Sequence, residues 1–211
     1  MTLKRFLQPR EPTPFRSRAL SGERCEFCGE PIPDEHSHVV NVEARGLLCS
    51  CRACYLLFTH GGAAGGKYRA VPQRYLRAPL ALTDAQWDRF QIPVAIAFFF
   101  QNTPMGRTTA FYPSPAGATE SLLSLEAWDE LVGENPFLAE LVPDVEALLI
   151  YKGAEQFQCF IVPIDACYEL VGRVRRKWKG FVGGDEAWSD INAFFDSVQA
   201  RCREPAAGRT G

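Results

Sequence analysis

Five of the chain's eight cysteines lie between Cys25 and Cys54, and their spacing is that of a metal site. Cys25-x2-Cys28 is followed by twenty-two residues and then by Cys51-x2-Cys54. Two Cys-x-x-Cys pairs at about this separation are the pattern of a zinc ribbon. Each pair sets two thiolates on one tight turn, and two such turns close a tetrahedron around a soft divalent ion. Gly29, directly after Cys28, supplies the permissive backbone that such a turn needs. The expected ligands are therefore Cys25, Cys28, Cys51 and Cys54. Cys49 is a fifth thiol that can stand in for Cys51, and His36 or His38 can complete a Cys₃His site instead. Zinc is the expected ion. Iron is the alternative, because a rubredoxin-type centre uses the same tetrathiolate and Cys28-Gly29 suits it, whereas Cys54-Tyr55 does not.

Beyond this cluster the reactive residues thin out. The three histidines are at 36, 38 and 60, so residues 61–211 contain none for a Ser–His or Cys–His mechanism. His60 reads as a solvated loop residue. Cys167 falls in the first turn of an expected helix but on its apolar stripe, which makes it a core thiol, and Cys159 and Cys202 read the same way. The run from Gly61 to Lys67 has the form G-x4-G-K, but Tyr68 follows where a phosphate loop needs Ser or Thr, and Pro72 stops any helix behind it. The acidic group Glu126, Asp129, Glu130 and Glu134 reads as a solvated helix face. No catalytic constellation emerges, and a non-enzymatic protein is expected.

Charge is segregated although its total is only −2. Residues 61–77 hold four basic and no acidic side chains, and residues 78–165 hold three basic and twelve acidic ones. Residues 166–180 carry five basic and one acidic, and Arg173, Arg176 and Lys177 share one helix face, the candidate contact for an acidic protein partner. No part of the chain reaches the basicity of a dedicated nucleic-acid binder. Hydrophobic residues make up 46% and charged residues 23%, which excludes a wholly disordered or collagen-like chain. The longest apolar run, residues 92–100, is far short of the ~20 residues that span a bilayer. The first residues lack the apolar core of a signal peptide, so a soluble cytoplasmic protein is expected.

These features divide the chain. Residues 1–20 are expected as a disordered basic tail, 21–60 as a zinc-ribbon-like module, 61–78 as a Gly-rich and basic linker, 79–203 as an α+β domain, and 204–211 as a disordered tail. Residues 38–42 and 47–51 pair as a hairpin around Ala44-Arg-Gly46. About forty residues build little core, so the metal is expected to hold this module together. In the larger domain Thr83-Asp-Ala-Gln86 is a capping box. Strands are expected at 94–100, 107–112, near 120–123, at 145–151 and at 157–162. Short helices are expected at 125–132 and, capped by Asn135, at 136–141. Asp165 caps a helix with Cys167, Leu170, Val171, Val174 and Trp178 inward. A last helix, about 185–202, turns Trp188, Ile191, Phe195, Val198 and Cys202 inward. The fold class is α+β, an antiparallel sheet covered by C-terminal helices.

Several stretches also resemble a known family. They are Cys25-Glu-Phe-Cys-Gly-Glu-Pro-Ile-Pro33, Leu48-Cys-Ser-Cys-Arg-Ala-Cys-Tyr-Leu-Leu-Phe58, Lys67-Tyr-Arg-Ala-Val-Pro72, Val162-Pro-Ile-Asp-Ala-Cys-Tyr-Glu-Leu-Val-Gly172 and Arg176-Lys-Trp-Lys-Gly-Phe-Val-Gly-Gly184. The chain is similar over about residues 20–203 to a bacterial domain-of-unknown-function family encoded near nickel–iron uptake hydrogenases. The resemblance implies an accessory role in maturation, assembly or electron delivery, with hydrogenase subunits as partners. The leading reading is thus a metal-binding accessory or adaptor protein. The alternatives are a rubredoxin-like electron carrier and a zinc ribbon that binds nucleic acid through the basic linker and helix.

Overall fold

The computed structural model describes residues 22–121, 125–153, 155–180 and 183–202. The expected tails, and residues 122–123 of the third expected strand, lie outside the described residues. The architecture is α+β, with one small and one large antiparallel sheet.

The small sheet carries the cysteines. Strand β1 (Ser37–Asn41) lies between β2 (Gly46–Ser50) and β3 (Tyr68–Ala70). Helix α1 (Arg52–Leu57) follows β2 directly. The hairpin forms as expected, but its turn differs. Arg45, not Gly46, takes the left-handed conformation (φ 53), and Gly46 already pairs with Asn41. This register sets His38 opposite Cys49.

The large sheet has the order β4-β9-β8-β5-β6-β7, where β4 is Leu76–Arg77, β5 Ile96–Asn102, β6 Arg107–Ser114, β7 Gly117–Ser121, β8 Glu146–Lys152 and β9 Phe157–Pro163. Its central strands read as unbroken apolar runs because both faces are covered. Along β5, Ile96, Phe98 and Phe100 enter one core while Ala97 and Phe99 enter the other. The same alternation divides Ala147 and Leu149 from Leu148 and Ile150, and Phe160 and Val162 from Cys159 and Ile161. One face carries α4 (Ile164–Lys177) and α5 (Asp185–Arg201), as expected. The other carries α2 (Asp84–Arg89), α3 (Leu125–Glu134) and a 3₁₀ turn, Pro136–Glu140, through Trp87, Phe90, Trp128, Leu131 and Leu138. The Thr83–Gln86 capping box is present in full.

Two expected caps bond differently from expectation. Asn135 is the N-cap of the 3₁₀ turn, with Pro136 first as expected, but its side chain makes no cap bond there; its amide donates back to Leu131 O of α3 at 2.9 Å. Helix α4 begins one residue before Asp165, whose carboxylate meets His38 Nδ1 at 2.9 Å instead.

The expected linker is structured. Residues 61–78 include β3 and β4, and Val71 and Tyr75 are buried in the same core as Val40, Val42, Phe98 and Leu149. The cysteine-bearing sheet therefore shares its apolar interior with the large sheet rather than depending on a metal alone. Two ion pairs fix the segment. Arg69 meets Asp144 at 3.2 Å, and Asp144 also accepts from Thr103 N and Oγ1 at 2.8 and 2.6 Å. Arg74 forks onto the fully buried Glu146 at 2.8 and 2.6 Å, and Glu146 also accepts from Val142 N at 3.0 Å. Removing the guanidinium leaves a buried carboxylate without its cation. Arg74→Met is expected to destabilise the protein by about 3 kcal/mol in urea unfolding, and adding Glu146→Gln should recover much of that loss.

Candidate metal centre

The first cysteine pair sits on a tight turn. Gly29 N donates to Cys25 O and Cys25 N to Glu30 O, both at 2.8 Å, and Gly29 has φ +74, a conformation that glycine adopts without strain. The second pair is not on such a turn. Cys51 is the N-cap of α1, its Sγ accepts from Cys54 N at 3.5 Å, and Cys54 lies in the first turn. The chain needs no glycine after Cys54 because it continues as helix. Phe27 from the turn, Phe58 from the end of α1 and Tyr68 from β3 pack with ring centroids 4.8 to 5.4 Å apart, which locks the two halves of the site together. Tyr55 Oη donates to Val71 O at 3.0 Å and anchors α1 to the residue just after β3.

The result is a four-sulfur cluster. The Sγ atoms of Cys25, Cys28, Cys51 and Cys54 all lie within 4.8 Å of one another, and those of Cys28 and Cys51 are 3.7 Å apart. Such a group can hold a metal ion. Its electrostatics call for a cation. Burial pushes the Cys25 thiol up, but backbone N–H groups of Cys51, Cys28 and Phe27 outweigh that and bring it down to about 6. Burial and the neighbouring sulfurs hold Cys54 up at about 12. One thiolate forms readily and discourages the next; a bound divalent ion removes that conflict.

The candidate substitutes do not join this cluster. His36, His38 and Cys49 form a second group, with their donor atoms within 4.8 Å of one another. Burial and the charges of Glu23 and Glu26 raise the Cys49 thiol. The hairpin register sets His38 across from Cys49, and His36, two residues before His38, joins them; the sequence contained that signal without fixing the register.

The basic helix face is only partly free. Arg173 is held by Glu169 at 2.7 Å and by Asp190 at 3.1 Å, and Lys177 meets Asp190 at 3.0 Å. Arg176 opens onto a cleft that His36, His38 and Arg173 also line. Cys167 is fully buried, and burial with the Asp165 charge raises it well above an ordinary thiol. Burial raises Cys159 to about 12. Among the described residues no helix is long and apolar enough to cross a membrane.

The model of the family of unknown function DUF5947 matches residues 24–202. The chain belongs to that family. The match takes in the cysteine cluster, both sheets and both C-terminal helices, so the two sheets fall within one family unit. No curated protein and no solved structure matches the chain.

The geometry groups Cys28 and Cys51 with the four sulfurs and leaves Cys49 outside them. With Co²⁺ in the site, the intense four-thiolate charge-transfer absorption is expected to vanish in Cys28→Ser and Cys51→Ser and to persist in Cys49→Ser. Equal loss in Cys49→Ser would assign Cys49 to the cluster.

Proposed function

We propose that this chain is a metal-binding accessory or adaptor protein that assists the assembly or function of a metalloenzyme complex. The observation that carries this reading is the convergence of four cysteine sulfurs within 4.8 Å. Zinc is the ion we assign, held by Cys25, Cys28, Cys51 and Cys54, where it would fix the turn against α1. In that role the ion organises surface rather than performing chemistry. Cys28 is exposed, and Leu56 and Leu57, just past Cys54 on α1, are 51% and 67% exposed, so the centre adjoins an apolar surface of the kind that partners cover.

The partner follows from the family resemblance, and hydrogenase subunits are the reading we adopt. A nucleic-acid role loses support from the pairing of Lys67, Arg69 and Arg74 with Glu43, Asp144 and Glu146, which leaves little of the basic segment for phosphates.

The test is purification of tagged full-length protein from its native host, with elemental analysis of the bait. Colourless, zinc-containing protein is expected to co-purify with nickel–iron hydrogenase subunits, and Leu56→Glu/Leu57→Glu should lose them while keeping zinc. Red, iron-containing protein would favour the electron-transfer alternative. Metal-free protein, or hydrogenase subunits recovered equally well with Cys51→Ser, would overturn the reading.

A further inference from the structure

A second group of metal-type donors lies apart from the four cysteines. His36 immediately precedes β1, His38 is its second residue, and Cys49 is the cross-strand partner of His38. Cross-strand pairing puts the His38 and Cys49 side chains on one face, and His36, two residues before His38, joins them. Their donor atoms lie within 4.8 Å of one another, and the two imidazole centroids are 4.7 Å apart.

Both rings are already oriented as ligands. His36 Nδ1 lies 2.9 Å from Pro33 O, an acceptor only, so that nitrogen carries the proton and Nε2 presents a lone pair. Glu23 Oε2 stands 3.4 Å from the same Nδ1. His38 Nδ1 lies 2.9 Å from Asp165 Oδ2. A carboxylate or carbonyl behind Nδ1 is how metal-binding histidines are held, because it fixes the tautomer and turns Nε2 toward the ion. The Cys49 backbone is clamped in turn: its N–H donates to Glu26 Oε2 at 2.6 Å, and its carbonyl accepts from Glu26 N at 2.9 Å.

A further observation points to a ligand. The His36 side chain is only 6% exposed, yet its buried Nε2 has no hydrogen-bond partner among the described residues. A buried acceptor without a partner is costly and rare, and the neighbouring donors give a bound cation as its natural mate. The histidines also line a cleft of about 980 Å³ between the small sheet and helices α4 and α5, which gives an ion a way in.

We propose that His36, His38 and Cys49 form a second metal site, distinct from the four-cysteine centre, that binds a divalent transition ion with one coordination position open to the cleft. Two imidazoles and one thiolate suit Zn²⁺ and its borderline neighbours and not Mg²⁺ or Ca²⁺, which demand oxygen ligands. On binding, the Cys49 S–H bond gives its proton to solvent and the sulfur bonds the metal; nothing is oxidised or reduced. Three protein ligands and an open fourth place are the arrangement of exchangeable or reactive sites rather than of closed structural ones. Asp165 acts as a positioning residue through His38.

The site stands independently of the four-cysteine reading, and Co²⁺ reports the two separately. Full-length protein is dialysed to equilibrium against Co²⁺ at neutral pH, and metal content and visible spectrum are measured. A four-thiolate ion gives strong sulfur charge-transfer absorption, and a one-thiolate, two-imidazole ion gives weaker bands at higher energy. Two Co²⁺ per chain, with both signatures, are expected. His36→Phe fills the same space with an apolar ring, and it and Cys49→Ser are each expected to hold one, the four-thiolate ion, which also certifies their fold. Asp165→Asn should weaken the second ion about 10- to 100-fold. Wild-type protein with only the four-thiolate signature, or His36→Phe binding the second ion as tightly as wild type, would overturn the proposal. If only the one-thiolate signature appears, the second site stands and the four-cysteine centre falls.

Discussion

Strand β1 is hydrogen-bonded along both edges, and the cysteine-bearing half of the molecule is built around that constraint. One edge receives β2, whose end delivers Cys51 to the head of α1. The other receives β3, whose Ala70 N–H, with the Val71 carbonyl just after it, fastens the end and the middle of α1. The residues of β1 then divide by face. His38 and Val40 share one, where Val40 enters the core of the large sheet and His38 turns to Cys49 and to Asp165 of α4, while Val39 is buried on the other. A strand fixed on both edges cannot slip register without moving every one of these side chains to the wrong face.

The same logic explains the distribution of charge. In sequence, a cationic stretch precedes a strongly anionic one, which suggests opposed patches for partners. In space they meet. Arg69 and Arg74 reach Asp144 and Glu146, at and just before the start of β8, and both carboxylates are buried. Pairing of this kind contributes little where solvent screens it, but a buried carboxylate without its cation is strongly destabilising. The segregated charges therefore register one sheet against the other.

Much of this was legible in the residues. Doubled Cys-x-x-Cys spacing brought the right four sulfurs together, the Thr83–Gln86 box opened a helix, and the apolar runs of β5, β8 and β9 became the sheet's centre. What escaped had physical causes. Residues 61–78 look like a tether because glycines and cations dominate them, but Val71 and Tyr75 are enough to draw the segment into the core. Asp165 looks like a helix cap because caps are local, whereas its partner is 127 residues away. The His36–His38–Cys49 group depended on hairpin register, and that was hidden because Arg45, a residue with no special tolerance for positive φ, takes the turn conformation instead of Gly46.

The cysteine-bearing sheet is held by a core shared with the large sheet, so a metal in the four-cysteine cluster would organise only the turn and α1 beside it. The decisive measurement is hydrogen exchange on the full chain, with metal and after chelation. Chelation is expected to expose the amides of residues 25–32 and 51–58 while β1, β3 and the large sheet keep their protection. Loss of protection throughout residues 25–70 on chelation would contradict the account and return the module to one held by its metal alone.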